Sequence, residues 1–273
     1  MTVIAMAAGA ALGEPVSSGV APSWRGVFQG VETTELTAAQ PRLLRGHAMK
    51  IDLRAPGVEL LPTPSNGDQP GETDGIKTTA FLEKHRLQAA INAAPFDIIH
   101  ADEGRPQEVH GLLISCGETV SAAANLPALL VSRDKRAWIA DAPVQTAGAW
   151  NGVGGFTVVL RAGALTHRGD KKLHPRTAAG VSRDQRFLFL LVIDGRQPGY
   201  SLGATTEEVG VWLKGLGSWD GINLDGGGTA TMALADSEGK AKLLNRPIHG
   251  GLAGSERVSA CHLGIKARAL LRK

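Results

Sequence analysis

The sequence predicts a single α+β domain with a mixed β-sheet, many short hairpins and a few flanking helices. Short apolar segments separated by tight turns fill the middle third of the chain, and this pattern predicts hairpins. A strand, a helix and a second strand are predicted between residues 187 and 224. The 273 residues contain no internal repeat and no evident linker, and the 35 glycines indicate many tight turns.

Composition restricts the class of function. The hydrophobic share is 43% and the charged share 20%, as in an ordinary globular protein. No apolar run is long enough to span a membrane. The net charge of +3 suits an anionic substrate. Lys and Arg are scattered rather than clustered beside aromatic residues, which argues against a nucleic acid partner. Composition does not indicate an oligomeric state.

Residues 1–35 are interpreted as an N-terminal leader, and residues 36–273 as the domain. Residues 3–12 are apolar and alanine-rich, and Ala11-Leu12-Gly13 resembles a small-residue cleavage site. One interpretation is a signal-like segment, with a periplasmic or secreted location. The basic residues that normally begin such a signal are missing, so a floppy tail is the alternative.

The first elements of the domain are predicted from alternating apolar residues and from the proline and glycine residues that mark loops. Strands are predicted at 48–53 and 57–61, and the Pro- and Gly-rich stretch 62–75 is predicted to be a loop. A helix begins near Thr78, and the short apolar segment 89–91 is a strand that ends at Asn92.

Three hairpins are predicted next. Their strands cover 109–115 with 119–122, 128–131 with 137–140, and 156–161 with a partner beyond Gly163. Cys116 lies in the first of these turns, and Cys261 is the second of the two cysteines. Neither lies in a Cys-x-x-Cys pair, so a zinc site is not indicated. A disulfide between them and two buried free thiols are both compatible with the sequence.

The strand, helix and strand of the last third carry the clearest local signals. Residues 187–193 form a continuous apolar run, as in a strand buried on both faces. Thr205 and Glu208 have the spacing of a capping box, and Gly217 is a suitable residue to end the helix. The apolar face of that helix is Val209, Trp212, Leu213 and Leu216. Short strands follow at 221–224 and 229–234.

Asp225 and the three glycines after it are the first candidate site. Glycines leave backbone N–H groups uncovered, so an anion such as phosphate can approach the main chain at Gly226, Gly227 and Gly228. A carboxylate at the edge of such a pocket suits a developing positive charge on a sugar carbon. A glycine-rich turn capped by Asp225 is the alternative. The block is neither a Walker loop nor a Rossmann fingerprint, so nucleotide binding is not indicated.

His174-Pro175-Arg176-Thr177 is the second candidate. The planar guanidinium of Arg176 matches two phosphate oxygens. His174 is a candidate proton donor or a partner for a sugar hydroxyl. An exposed basic turn is the alternative. Further polar residues that follow predicted strands are also candidates: Asn92, Asp194, Glu256 and Arg257.

Taken together, three blocks resemble the phosphodiester glycosidase family, whose members cleave the bond between a sugar and a phosphate diester. The blocks are His174-Pro-Arg-Thr-Ala-Ala-Gly180, Ile193-Asp-Gly-Arg196 and Gly221-Ile-Asn-Leu-Asp-Gly-Gly-Gly-Thr229. The segment from Ile91 to Phe96 is similar to a family segment but has alanines and a proline in place of Gly-Gly-Tyr. The resemblance implies an α+β domain with mixed sheet, export from the cytoplasm and, in bacteria, a glycopolymer of the envelope or exterior as substrate.

The resemblance also implies roles for the candidate residues. The phosphate ligands would be Arg176 and the amides of the three glycines. Asp225 would face the anomeric carbon, with Asp194 or Glu256 as its partner acid or base. The proposed positioning groups are Asn92, His174, Asn223, Thr229 and Arg257. No cofactor is required by this chemistry.

Two other functions remain open at this stage. A phosphodiesterase that attacks phosphorus would use the same residue types, with a divalent metal on Asp194 and Asp225. A non-catalytic module that binds anionic polysaccharide would use the same cations without turnover.

Overall fold

The computed structural model describes residues 22–167 and 169–270. The signal-like segment at 3–12 lies outside these residues. The helices are α1 (Thr78–Lys84) and α2 (Thr206–Leu216), with a 3₁₀ turn at Gly227–Thr229. The strands are β1 (Arg25–Phe28), β2 (Val31–Ala38), β3 (Leu44–Asp52), β4 (Glu59–Pro62), β5 (Thr73–Asp74), β6 (Ala89–Asn92), β7 (Pro106–Gln107), β8 (Leu113–Ser115), β9 (Glu118–Ser121), β10 (Ala128–Ser132), β11 (Ala137–Ala140), β12 (Ala149–Gly154), β13 (Thr157–Arg161), β14 (Ala164–Leu165), β15 (Arg176–Val181), β16 (Phe187–Ile193), β17 (Asp220–Asn223), β18 (Met232–Ala235), β19 (Ala241–Leu243), β20 (Ile248–His249), β21 (Leu252–Ala253) and β22 (His262–Lys266).

Three sheets carry the fold. An eight-stranded sheet has the order β1-β2-β3-β16-β15-β17-β13-β14, and two five-stranded sheets have the orders β11-β10-β12-β8-β9 and β19-β18-β6-β22-β4. The remaining pairs, β20 with β21 and β5 with β7, are two-stranded ribbons. The α+β class is confirmed in outline, although only two α-helices occur in the described part of the chain and strands dominate.

The predicted mixed sheet is wrong. All strand pairings within the described ranges are antiparallel, including β15 with β16 and β15 with β17. Helix α2 does connect β16 to β17, as predicted, and these two strands run in the same direction. They are not neighbours, however, because β15 lies between them and pairs with both.

Strand β16 is buried on both faces, which confirms the prediction made from its continuous apolar sequence. Leu188, Leu190 and Val192 face the large core between the sheets. Phe189, Leu191 and Ile193 alternate with them and face the smaller core under α2. The apolar face predicted for α2 packs in that smaller core, where Trp212 rests on the backbone of Gly46.

The caps of α2 are also as predicted. The Thr205 hydroxyl accepts the Glu208 amide at 3.2 Å, and the Glu208 carboxylate accepts the Thr205 amide at 2.8 Å. Gly217 ends the helix with φ 105, a conformation that favours glycine. The cap therefore fixes the start of α2, which packs on the eight-stranded sheet over residues of β15 and β16.

Two boundaries are corrected. Strands β1 and β2 place residues 25–38 in the eight-stranded sheet, so the described part of the predicted leader contributes to the domain. The strand predicted at 229–234 begins at Met232, because residues 227–229 form a 3₁₀ turn. Both cysteines are free thiols: Cys116 is exposed in its hairpin turn and Cys261 is buried. No helix in the ranges 22–167 and 169–270 is long and apolar enough to cross a membrane.

Candidate active site

Asp225 lies where two sheets meet. The Leu224 amide still bonds the Thr177 carbonyl of β15 at 2.9 Å, whereas the Asp225 amide donates to the Ala93 carbonyl at 2.9 Å. The chain therefore leaves β15 after Leu224 and reaches the end of β6. The last residue of β16 and the first residue of β15 lie at this same end of the eight-stranded sheet.

Asn92 fixes the main chain at this junction. Its side-chain amide donates to the Asp225 carbonyl at 2.8 Å, and its side-chain oxygen accepts the Thr177 hydroxyl at 2.8 Å and the Thr231 amide at 3.1 Å. The residue is fully buried. Asn92 is thus brought to the candidate site as a support for Asp225, with no surface left for a ligand.

Each glycine after Asp225 meets a different requirement. A Cβ at Gly226 would lie 2.7 Å from the Pro175 carbonyl oxygen, and Gly227 has φ +67. A Cβ at Gly228 would lie 2.6 Å from the guanidinium of Arg257. The triple glycine therefore admits a neighbouring strand, a left-handed turn and an arginine side chain.

The three glycine amides are less open than predicted. The Gly226 amide donates to the Asp225 carboxylate, and the Gly227 amide donates to the Pro175 carbonyl at 2.9 Å. Of these three amides, the Gly228 amide is the one that has no hydrogen-bond acceptor among the described residues. An anion bound here would meet one free amide, so side chains must supply the other donors.

The Asp225 carboxylate is largely surrounded by protein while the residue keeps partial exposure to solvent. Burial raises its pKa from 3.8 to about 6, against hydrogen bonds from Thr229 and Gly226 and the charge of Arg257, which lower it. The Thr229 hydroxyl lies 2.6 Å from the Asp225 Oδ2 and also 2.6 Å from the Gly226 carbonyl. Thr229 therefore lies beside Asp225 and binds its carboxylate.

Two guanidinium groups lie over the glycines. Arg257 packs on Gly228, and its Nε donates to His249 Nδ1 at 3.2 Å. Arg196 lies over Gly227, where a Cβ would be 3.2 Å from its Nη2. Burial lowers the pKa of Arg257, the Asp225 charge raises it, and the Arg196 charge lowers it. Two cations that repel each other beside one carboxylate create a site suited to an anion.

Arg196 was not among the residues predicted for the site. Its φ of +58 is unusual for a residue with a side chain, and such backbone strain is concentrated at functional sites. The available signal was its place at the end of Ile193-Asp194-Gly195-Arg196, directly after a buried strand.

His174 joins this arrangement through Arg196. The Nη2 of Arg196 lies 3.2 Å from His174 Nδ1. A guanidinium only donates, so Nδ1 accepts and the proton of a neutral ring is on Nε2, which lies 3.5 Å from Asp170. Burial and then the charges of Arg176 and Arg196 lower the His174 pKa, so the ring is neutral at pH 7.

The guanidinium of Arg176, predicted as a phosphate ligand, is held by other groups of the protein in this structure. Its Nε donates to the Ala204 carbonyl at 2.8 Å, and its Nη2 donates to the Lys172 carbonyl at 2.7 Å and to Asp170 at 3.2 Å. It is 8% exposed. Alternation along β15 explains this: Thr177 faces Asn92, so Arg176 faces the opposite side, toward α2. Its main chain borders Gly226, but its guanidinium is committed elsewhere.

Asp194 also differs from the prediction. Its carboxylate accepts hydrogen bonds from the Asn245 side chain at 2.8 Å, the Arg246 amide at 3.1 Å and the Tyr200 hydroxyl at 3.2 Å. The residue is 1% exposed, and burial raises its pKa. With its oxygens occupied and covered, Asp194 supports two loops and is not placed as the acid or base partner of Asp225.

Glu256 is a helix cap. Its carboxylate accepts the Thr79 amide at 3.1 Å and the Thr79 hydroxyl at 2.5 Å, in the first turn of α1. The residue before α1, Lys77, provides no side-chain cap, so Glu256 supplies it from a distant part of the chain. The structure thus places Glu256 at the start of α1, and the hydrogen bonds of its carboxylate described here go to Thr79 and not to the Asp225 side.

Asn223 is buried, and its amide donates to the Leu224 carbonyl at 3.0 Å. It pairs in register with Ala178, which packs under α2, so its side chain lies on the α2 side of the sheet. Of the predicted residues, the structure thus places Asp225, Thr229 and Arg257 at the glycines, and His174 contacts them through Arg196. Asn223 instead lies on the α2 side of the sheet.

The described residues contain no group of three His, Cys, Asp or Glu side chains that could hold a metal ion. A cavity of about 350 Å³ lies elsewhere, between the segment from Leu53 to Leu60 and the β10–β11 hairpin, and none of the three sequence blocks lines it. The candidate active site is thus the partly exposed, charged surface at Asp225, Gly226 and Gly227.

The model of the phosphodiester glycosidase family matches residues 85–266. No curated protein matches the sequence. Among solved structures, the chain is similar to the catalytic domain of zebrafish N-acetylglucosamine-1-phosphodiester alpha-N-acetylglucosaminidase, auto-inhibited by its pro-peptide. The identity is 20% and the TM-score 0.64, over 93% of this chain and 87% of that chain.

Two further structures are similar. One is a protein from Burkholderia pseudomallei described as exported, with 16% identity and a TM-score of 0.61 over 84% of this chain and 75% of that chain. The other is a protein of unassigned function from Synechocystis, with 14% identity and a TM-score of 0.59 over 88% of this chain and 62% of that chain. At these identities the likeness shows a common fold.

Proposed function

Because the chain belongs to the phosphodiester glycosidase family, we propose that it hydrolyses the bond between the anomeric carbon of a sugar and a phosphodiester oxygen. One observation carries the proposal: Arg196 and Arg257 converge on Gly227 and Gly228 beside the Asp225 carboxylate. Guanidinium groups with free donors suit phosphate oxygens, and a carboxylate suits a carbon that becomes positive.

The leaving group determines what the site must do. A phosphate monoester leaves as a stable anion, so strong general-acid assistance is less necessary than for an ordinary glycoside. The energetic demand falls on binding the phosphate and on stabilising an oxocarbenium-like carbon. In this proposal Arg196, Arg257 and the free Gly228 amide hold the phosphate, and ionised Asp225 faces the anomeric carbon.

The surrounding groups orient these residues. His174 accepts from Arg196 and thereby directs one guanidinium edge, while Thr229 and the Gly226 amide hold the Asp225 carboxylate. The main-chain hydrogen bond from Asn92 fixes the position of Asp225. Phosphate positioning thus depends on Arg196 and Arg257 in place of Arg176, which the sequence had favoured.

We also propose that the substrate is a glycopolymer outside the cytoplasm. The signal-like residues 3–12 favour export, and the similar Burkholderia pseudomallei protein is described as exported. A panel of sugar-1-phosphodiesters and teichoic-type polymers should release free sugar. Failure to release sugar from any member, with saturable binding retained, would favour a non-catalytic polysaccharide-binding module.

Hydrolysis in oxygen-18 water tests which bond breaks. Attack at the anomeric carbon places the label in the released sugar, as we expect. Label in the phosphate would mean attack at phosphorus, and the enzyme would then be a phosphodiesterase. Addition of a chelator is the companion measurement, since a metal-assisted phosphodiesterase would lose activity and a glycosidase of the proposed kind would keep it.

A further inference from the structure

A second cationic cluster is formed by residues on and around the segment that carries Arg196. The guanidinium carbons of Arg45 and Arg246 lie 4.9 Å and 5.0 Å from the ring centroid of Tyr200. The two charges are therefore at most about 10 Å apart, roughly one Debye length at physiological salt. These three residues are called the Tyr200 cluster below.

The Tyr200 cluster and the Arg196 turn are built on the same support. The buried Asp194 carboxylate accepts the Tyr200 hydroxyl and the Arg246 amide, and Asp194 is two residues before Arg196. The Gln197 side chain donates to the Arg246 carbonyl at 2.9 Å. The segment that carries Arg196 thus also supports the cluster, through Asp194 and Gln197.

The charges of the Tyr200 cluster are only partly compensated. Glu35 lies 3.6 Å from Arg45, but the two side chains are 54% and 47% exposed, and such surface pairs contribute little. In the described part of the chain no carboxylate lies within ion-pair distance of the Arg246 side chain, although its charge lowers the pKa of Asp194. Asp194 lies beneath the cluster with its oxygens already occupied, so a ligand at the surface meets the cations.

We propose that the Tyr200 cluster binds a second phosphate of the same substrate molecule. This inference rests on the proposed function for the first phosphate, and it specifies the substrate class: a glycan with repeated phosphodiesters, rather than a sugar carrying one. Arg196 and Arg257 hold the diester that is cleaved, and Arg45 and Arg246 hold the next one along the chain.

Calorimetric binding of inorganic anions tests the cluster without any need for turnover. Orthophosphate carries one phosphate and is the probe for a single site, and tripolyphosphate carries three and is the probe for both sites together. Arg246→Gln should weaken tripolyphosphate binding by about tenfold, the scale of one charge-assisted hydrogen bond, and leave orthophosphate binding at Arg196 and Arg257 unchanged. Glu35→Gln should strengthen tripolyphosphate binding, because it removes a repulsive charge.

Arg133→Gln is the matched control. Arg133 also lies over an aromatic ring, 4.7 Å from the Trp150 centroid, in the β10–β11 hairpin away from the glycines. It should leave the binding of both anions unchanged. Equal tripolyphosphate affinity of Arg246→Gln and Arg133→Gln would overturn the second site.

Hydrolysis then separates the second site from the reaction itself. With Arg246→Gln, kcat/KM should fall about tenfold for an oligomer with two phosphodiesters and stay constant for a substrate with one. An equal fall for both substrates would place Arg246 in the catalytic site and overturn the inference. If wild-type enzyme cleaves neither substrate, the proposed function fails, while the tripolyphosphate measurement still decides the second site.

Discussion

Asp194 and Asp225 are two carboxylates at the same edge of one sheet, and they do different work. Each follows a buried strand, and burial raises the pKa of each. Asp194 is 1% exposed and its oxygens accept three groups of the protein. Asp225 keeps partial exposure and lies beside a guanidinium. A raised pKa is therefore common to a supporting carboxylate and to the one proposed for catalysis, and exposure to solvent distinguishes the two.

Asp225→Asn is the strongest test of this contrast. We expect a loss of kcat of at least about a thousandfold, since the charge that stabilises the transition state is removed while the shape is kept. Sugar release from a phosphodiester substrate measures it, and near-normal turnover would remove Asp225 from the mechanism.

The same variant should be more stable than wild type at pH 8. Because the Asp225 pKa is raised above 3.8 to about 6, its protonated form favours folding, and this contribution is lost as pH rises through 6. Urea unfolding at pH 4 and pH 8 should show equal stability at the lower pH and a gain for the variant at the higher.

Asp194→Ala should lower stability more than activity, the reverse of what is expected for Asp225→Asn. Removing the carboxylate leaves the buried donors of Asn245, Arg246 and Tyr200 without an acceptor, and the free energy of unfolding should fall by about 3 kcal/mol. The remaining folded enzyme should keep more activity than Asp225→Asn. A stable but equally inactive Asp194→Ala would make the two carboxylates catalytic partners after all.

Arg196→Lys and Arg176→Lys sharpen the contrast among the cations. A lysine cannot reproduce a planar fork, so Arg196→Lys should lower kcat/KM about thirtyfold, mainly through KM. Arg176→Lys should instead lower stability, because it breaks hydrogen bonds to Ala204 and Lys172. Steady-state kinetics and thermal unfolding of both variants measure this, and the reverse pattern would restore Arg176 as the phosphate ligand.

Thr229→Val should have the smallest effect, confined to pH dependence. The Thr229 hydroxyl stabilises ionised Asp225 and lowers its pKa, so its loss should move the acid limb of the rate profile above pH 6. Thr229→Ser, which keeps the hydroxyl, should retain the wild-type profile. An unshifted limb in Thr229→Val would mean that another group controls it.

Local signals in the sequence were sufficient for several elements. The apolar run of β16, the Thr205–Glu208 capping box and the turns of the β8–β9 and β10–β11 hairpins all depend on residues close together in the chain. The pairing of β15 between β16 and β17 does not, and the mixed sheet was predicted because neighbours in sequence were taken as neighbours in the sheet.

The candidate site was predicted in part for the same reason. The glycines, Asp225 and Thr229 lie within five residues, so their association was visible. Glu256 caps a helix 177 residues away, and Asp194 binds Asn245, which is 51 residues away. Local sequence patterns could therefore not predict either of these structural roles. The direction of Arg176 required knowledge that β15 faces Asn92 with its odd-numbered residues.

Strand β22 has a consequence for biosynthesis. It lies between β4 and β6, which it joins by antiparallel pairing. A ribosome therefore releases the two older strands long before the segment that separates and pairs them. Such non-local closure slows folding, and the unfinished sheet edges stay open to chaperones or aggregation until β22 has been synthesised.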